Sequence, residues 1–145
     1  MPVEFYNADI TVSVKKKTAL RTFILKEFKK TSKKTLSLDC IFCSDDYLLK
    51  INQDFLQHDY YTDIITFPLN ETEKKTSAEV YISIDRVRDN AVQNKVSEEE
   101  ELRRVIFHGV LHLCGYGDKT EAEQKVMRKK ENEWLALFEP LKKPK

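Results

Sequence analysis

Residues 97–118 read SEEEELRRVIFHGVLHLCGYGD, one helix that closes in a glycine turn. Ser97 followed three residues later by Glu100 has the form of a capping box, and Glu98 and Glu99 favour a helix N-terminus. Leu102, Val105 and Ile106 then recur at helical spacing, carrying the helix to His112 or Leu113. The chain has 145 residues but only three glycines and three histidines. All three glycines (Gly109, Gly115, Gly117) and two of the histidines (His108, His112) fall between positions 108 and 118. Gly115 and Gly117 mark the helix end, where a left-handed residue costs little and the chain can turn back. Gly109 sits inside the helix, where glycine costs about 1 kcal/mol relative to Ala. Its presence implies close approach of another backbone or of a ligand.

Working outward, VEFYN (3–7) reads as a short strand and KKKTALRTFILKEFKKT (15–31) as a helix with Leu20, Phe23, Ile24 and Phe28 on one face. KTLSLDCIFC (34–43) alternates as a strand does. Ser44 then caps a helix that begins at Asp45, with Leu48, Leu49 and Ile51 inside it. TDIITF (62–67) is β-branched and is expected to end at Pro68. NETEKKTS (70–77) reads as a polar turn, AEVYISI (78–84) as another strand, and DRVRDNAVQN (85–94) as a short helix. Thr120 with Glu123 is a second capping box, opening a last helix that carries Val126, Met127, Trp134, Leu135 and Phe138. Four strands and these helices, without internal repeat or linker, make one α+β domain over residues 1–145.

Composition narrows the classes of function. An apolar fraction of 41%, with eight Phe and six Tyr, supports a folded globule rather than disorder. A net charge of +1 does not by itself announce a nucleic-acid binder, although residues 15–34 are rich in Lys and Arg and could meet phosphates. No apolar run approaches membrane-spanning length, and the N-terminus lacks a charged leader followed by an apolar block, so a cytoplasmic protein is expected. An odd cysteine count of three suits a reducing compartment. Cys40 and Cys43 fall on a strand, where positions three apart face opposite ways, and read as small apolar packers rather than a metal or redox pair.

His108 and His112 share one helix face, spaced so that both imidazoles can reach one metal ion. Asp118 follows the glycine turn, which can bring its carboxylate round to the same ion. H-x3-H-x5-D is thus a three-ligand set that leaves a coordination position open, as catalytic sites do. His58, the remaining histidine, is the rival third ligand or else faces substrate. Zinc proteases of the H-E-x-x-H type need Glu after the first His; Gly109 holds that place and cannot take a proton. Asp63 and Glu79 are the acids expected near the cleft if their strands are neighbours, and Tyr116 and His58 are candidates to contact a base.

HGVLHLCGYGD resembles the H-G-x-L-H-L-x-G-Y-D-H signature of the YbeY family. INQDFLQHDYYTDIITFP resembles that family's L-N-x-x-Y-R followed by T-D-V-L-S-F-P. AEVYIS resembles its G-D-I-x-I-S strand, and VMRKKENEWL its closing M-x-x-x-E helix. These blocks keep their order and spacing over about residues 45 to 135. The resemblance implies a small mixed sheet, here four-stranded, with helices packed on it. It also implies a metal-dependent, single-strand-specific endoribonuclease that matures the 3′ end of 16S ribosomal RNA and serves ribosome quality control. The implied partners are ribosomal or other single-stranded RNA and the small ribosomal subunit, not DNA and not a membrane. The implied cofactor is one Zn2+ held by His108, His112 and Asp118, with Asp63, His58 and Tyr116 facing substrate. Two departures stand out. Asp118 replaces the family's third histidine, which adds negative charge and widens the range of divalent metals. Leu56 stands where the family has Arg, so any phosphate-binding arginine comes from elsewhere, with Arg86, Arg88, Arg103 and Arg104 all available. A ribosome-bound RNA-binding module with a structural metal, or another metal hydrolase, are the alternative functions.

Overall fold

The structure, a computed structural model, describes residues 2–57 and 61–139. The elements run β1 (Val3–Asn7), α1 (Lys17–Ser32), β2 (Thr35–Cys43), α2 (Asp45–Leu56), β3 (Ile64–Glu71), β4 (Lys75–Ser83), α3 (Ile84–Asn94), α4 (Glu98–Leu113) and α5 (Glu121–Phe138). The strands form one mixed sheet in the order β1-β2-β4-β3, as the α+β expectation requires. β1, β2 and β4 are mutually parallel, and β3 lies antiparallel to β4 at the edge. Helix α1 is the crossover between β1 and β2, while β3 and β4 form a hairpin.

Side-chain alternation divides the sheet into two faces. Leu36, Leu38, Cys40 and Phe42 of β2, and Ala78, Val80 and Ile82 of β4, enter the main core. Leu20, Ile24 and Phe28 of α1, Val87 of α3, Phe107 and Leu111 of α4, and Met127 and Trp134 of α5 meet them there. Helix α2 covers part of the other face, where Cys43, Leu48 and Ile65 form a small second cluster. Cys40 and Cys43 therefore do point to opposite faces, both buried and both unpaired. Helix starts follow local chemistry. Ser44, Ser83 and Ser97 each accept a bond from a backbone N–H three residues on. Thr120 and Glu123 form a complete capping box at α5.

One boundary differs from expectation. Pro68 does not end β3, which continues to Glu71, and the polar turn shrinks to the residues between Glu71 and Lys75. Proline is tolerated because β3 is the edge strand, where a missing N–H costs no ladder bond. A register shift between Pro68 and Asn70 absorbs the irregularity.

Candidate metal centre

The C-terminal end of α4 builds the centre. Gly115, at φ 104°, closes the helix in the left-handed conformation. Its N–H donates to the His112 carbonyl (2.9 Å) and that of Tyr116 to the Leu111 carbonyl (3.1 Å), the paired bonds of a Schellman stop. The reversed chain brings Asp118 back over the helix face that carries the two histidines. Asp118 Oδ2 lies 3.2 Å from His108 Nε2 and 3.3 Å from His112 Nε2, and the two Nε2 atoms are 3.1 Å apart. Among the described residues these three form the group able to hold a metal ion. The spacing fits one. Ligand atoms bonded at about 2.1 Å around a tetrahedral ion lie about 3.4 Å from one another. With lone pairs turned inward, two imidazoles and a carboxylate at this distance repel one another, and either ring protons or a bound cation relieves that repulsion. The side chains remain partly open to solvent, at 22% for His108, 29% for His112 and 40% for Asp118.

The glycines act differently from one another. A Cβ on Gly109 would lie 2.8 Å from Ile64 Cδ1 and 3.3 Å from Val80 Cγ1. Gly109 thus lets α4 settle on β3 and β4, and it is their side chains, rather than another backbone, that come closest to it. A Cβ on Gly117 would meet the Glu123 carboxylate at 2.7 Å. That carboxylate accepts the N–H groups of Lys119 and Thr120, fixing the chain directly after Asp118.

Behind the triad stands a buried carboxylate. Glu131 Oε2 is 2.6 Å from His108 Nδ1, and Glu131 Oε1 accepts from Arg104 Nη1 at 3.1 Å. Burial alone would lower the His108 pKa, but the Glu131 bond and the charges of Glu131, Asp63 and Asp118 together raise it. Burial pushes the Asp63 carboxyl up, with the charge of His108 pulling the other way. Two clefts meet at this point and share Asp63, His108 and Asp118. One runs beside α5 past Arg104, Lys125 and Arg128; the other follows β3 past Thr62, Thr66 and Pro68.

Glu131 has no place among the site residues read from sequence. A signal for it existed: Met127, Glu131 and Trp134 are all buried on one stripe of α5, so a carboxylate occupies a position with apolar periodicity.

Comparison with known proteins agrees with this architecture. A profile of the family described as Endoribonuclease YbeY matches residues 3–139. The chain belongs to the YbeY endoribonuclease family. An Endoribonuclease YbeY of Cytophaga hutchinsonii is 47% identical over 133 residues, covering 92% of this chain and 93% of that one. Another, from Parabacteroides distasonis, is 44% identical over 138 residues, covering 95% and 96%. The solution structure of TM1509 from Thermotoga maritima superposes with a TM-score of 0.60 at 25% identity, covering 97% of this chain and 99% of that one.

The remaining YbeY-motif positions fall as follows. His58 lies outside the described residues. Leu56, at the place of the family arginine, is the exposed last residue of α2. Among the available arginines, Arg86 bonds Asp45, Arg88 bonds Glu98, and Arg103 bonds Glu99 and Glu139. Arg104 lines the cleft beside the triad, joined there by Arg128. Tyr116 is half-buried against the core, with the Lys130 ammonium 5.9 Å from its ring centroid. Asp63 lines both clefts where they join. Glu79 does not: it alternates with buried Ala78 and Val80, faces the α2 side of the sheet, and accepts a bond from Tyr81. In the basic 15–34 stretch, Lys15, Lys16 and Lys34 pair with Glu99, Glu139 and Glu71, and the cations at the triad come from α4 and α5 instead. Among the described residues no helix is long and apolar enough to cross a membrane.

Proposed function

We propose that this YbeY-family chain, acting as one domain over residues 1–145, cleaves single-stranded RNA internally by hydrolysis with one divalent cation, zinc, held by His108, His112 and Asp118. The observation that carries the reading is the convergence of three ligand atoms where two open clefts join. A strand can enter along α5 and leave along β3, as cleavage within a chain requires. Three protein ligands with partly exposed side chains suit an open catalytic site, whereas structural zinc sites close with four. When bound, the cation supplies Lewis acidity toward a phosphoryl oxygen. The chain's own groups orient the reaction. His108 and His112 present their Nε2 lone pairs, and Asp63 faces the substrate phosphate or its attacking water from the bend just before β3. Arg128, with its side chain 58% exposed, takes the phosphate contact that Leu56 cannot make. Tyr116 and His58 contact the bases. The family implies ribosomal RNA maturation. We assign the 3′ end of 16S RNA as the target, ribosome quality control as the setting, the small subunit as partner and the cytoplasm as location.

The test incubates purified protein, loaded with zinc, with single-stranded and duplex RNA beside His112→Ala. Cleavage confined to single strands and abolished by the substitution is expected; cleavage that survives it refutes the mechanism. Metal content by mass spectrometry should fall toward zero in His108→Ala and fall sharply in Asp118→Ala. Loss of metal in His58→Ala with retention in Asp118→Ala would replace the third ligand.

A further inference from the structure

Glu131 is 5% exposed, and burying a carboxylate is expensive unless its oxygens are used. Each oxygen has its own partner: Oε1 takes the Arg104 guanidinium at 3.1 Å and Oε2 faces His108 Nδ1 at 2.6 Å. Arg104 is itself only 16% exposed and lies 4.0 Å from the buried Glu101, which accepts from Asn94 Nδ2 at 3.4 Å. A row of polar contacts therefore runs from the end of α3 through α4 and α5 to the triad. A carboxylate can only accept at Nδ1, so that nitrogen carries the proton and Nε2 keeps the lone pair it turns toward His112 and Asp118.

We propose that Glu131 is a positioning residue that fixes His108 in its Nδ1–H tautomer and orientation for metal binding, and that Arg104 sets which Glu131 oxygen is free to do so. The inference rests on the metal reading above. It makes a specific demand of the near-isosteric Glu131→Gln. Arg104 can donate only to the amide oxygen, so the amide NH2 is turned toward His108. It then donates to Nδ1 and drives the proton to Nε2, the atom that must ligate. In the Arg104→Met, Glu131→Gln double variant the 3.1 Å anchor is gone and only the exposed Arg128, 3.9 Å from Oε1, remains on that side, so the amide can rotate and its oxygen can accept from Nδ1 again.

Two measurements decide it. Long-range 15N NMR of the metal-free protein, recorded at alkaline pH on the species whose ring 15N shifts show a neutral imidazole, reports the tautomer. Chelator competition reports zinc affinity, with circular dichroism and melting temperature confirming the fold. The expected result is Nδ1–H in the wild type and Nε2–H in Glu131→Gln. Zinc affinity should fall about 10- to 100-fold in the single variant and recover at least in part in the double variant. An unchanged tautomer with zinc affinity within about twofold of wild type would overturn the inference. So would a loss of affinity without recovery in the double variant, which would make Glu131 a source of charge only. A wild type that binds no zinc, and is indifferent to His108→Ala, would remove the metal reading and this inference with it. That outcome is recognisable because the wild type itself fails.

Discussion

Gly109→Ala measures how closely α4 sits on the sheet. At an open helical position, replacing Gly with Ala stabilises by about 1 kcal/mol. Here the new methyl lies 2.8 Å from Ile64 Cδ1 and 3.3 Å from Val80 Cγ1. Overpacking of this kind costs about 1–3 kcal/mol. The low end applies, because Ile64 Cδ1 ends a flexible, partly exposed side chain and Val80 need yield only slightly. The two terms leave Gly109→Ala neutral to about 1 kcal/mol destabilising. Ile64→Val removes the nearest atom and by itself costs about 0.5–1.5 kcal/mol. In that background Gly109→Ala should stabilise by up to about 1 kcal/mol, a change of sign. Urea unfolding of the four proteins, followed by circular dichroism and compared at constant m-value, reads the cycle. If Gly109→Ala alone stabilised the wild type by about 1 kcal/mol, contact with β3 would not be the reason for the glycine.

Other expectations are independent of that cycle. Thr120→Ala should cost about 1 kcal/mol by breaking the capping box, and should weaken zinc binding because the same box holds the chain beside Asp118; unchanged zinc affinity in chelator competition would contradict the second part. At Asp45, burial favours the protonated form, but the bonds from Arg86 and Ser83 outweigh it and hold the pKa below the usual 3.8. The unfolded chain then binds this proton more readily than the folded one, so Asp45 contributes stability above that value and loses it as pH falls through the lower folded pKa. Asp45→Asn should accordingly melt lower than wild type at neutral pH, with the gap closing in acid; a gap that widened in acid would reverse the sign of this coupling. Burial pushes the Cys43 and Cys114 thiols up to about 12 and Cys40 higher still. Iodoacetamide at about pH 8 should spare the native protein and label all three cysteines once it is unfolded; rapid native labelling would contradict this.

Sequence alone determined what local geometry controls. Helical periodicity puts His108 and His112 on one face, Ser97 and Thr120 announce helix starts, and Gly115 stops α4 so that Asp118 can return. Each depends on residues within about one or two turns of one another, which chain stereochemistry already constrains. The three ligands of the candidate centre come from eleven consecutive residues and were legible for that reason. Tertiary structure decided whatever depends on distant partners. Pro68 stays within a strand only because β3 lies at the sheet edge, and Glu79 is turned from the clefts by the face its strand presents to α2. Gly109 is explained by Ile64 and Val80, and Glu131 reaches His108 across 23 residues of chain. Contacts of this kind arise when separate elements pack: the apolar stripe of α5 could mark Glu131 as buried, but not name His108 as its partner.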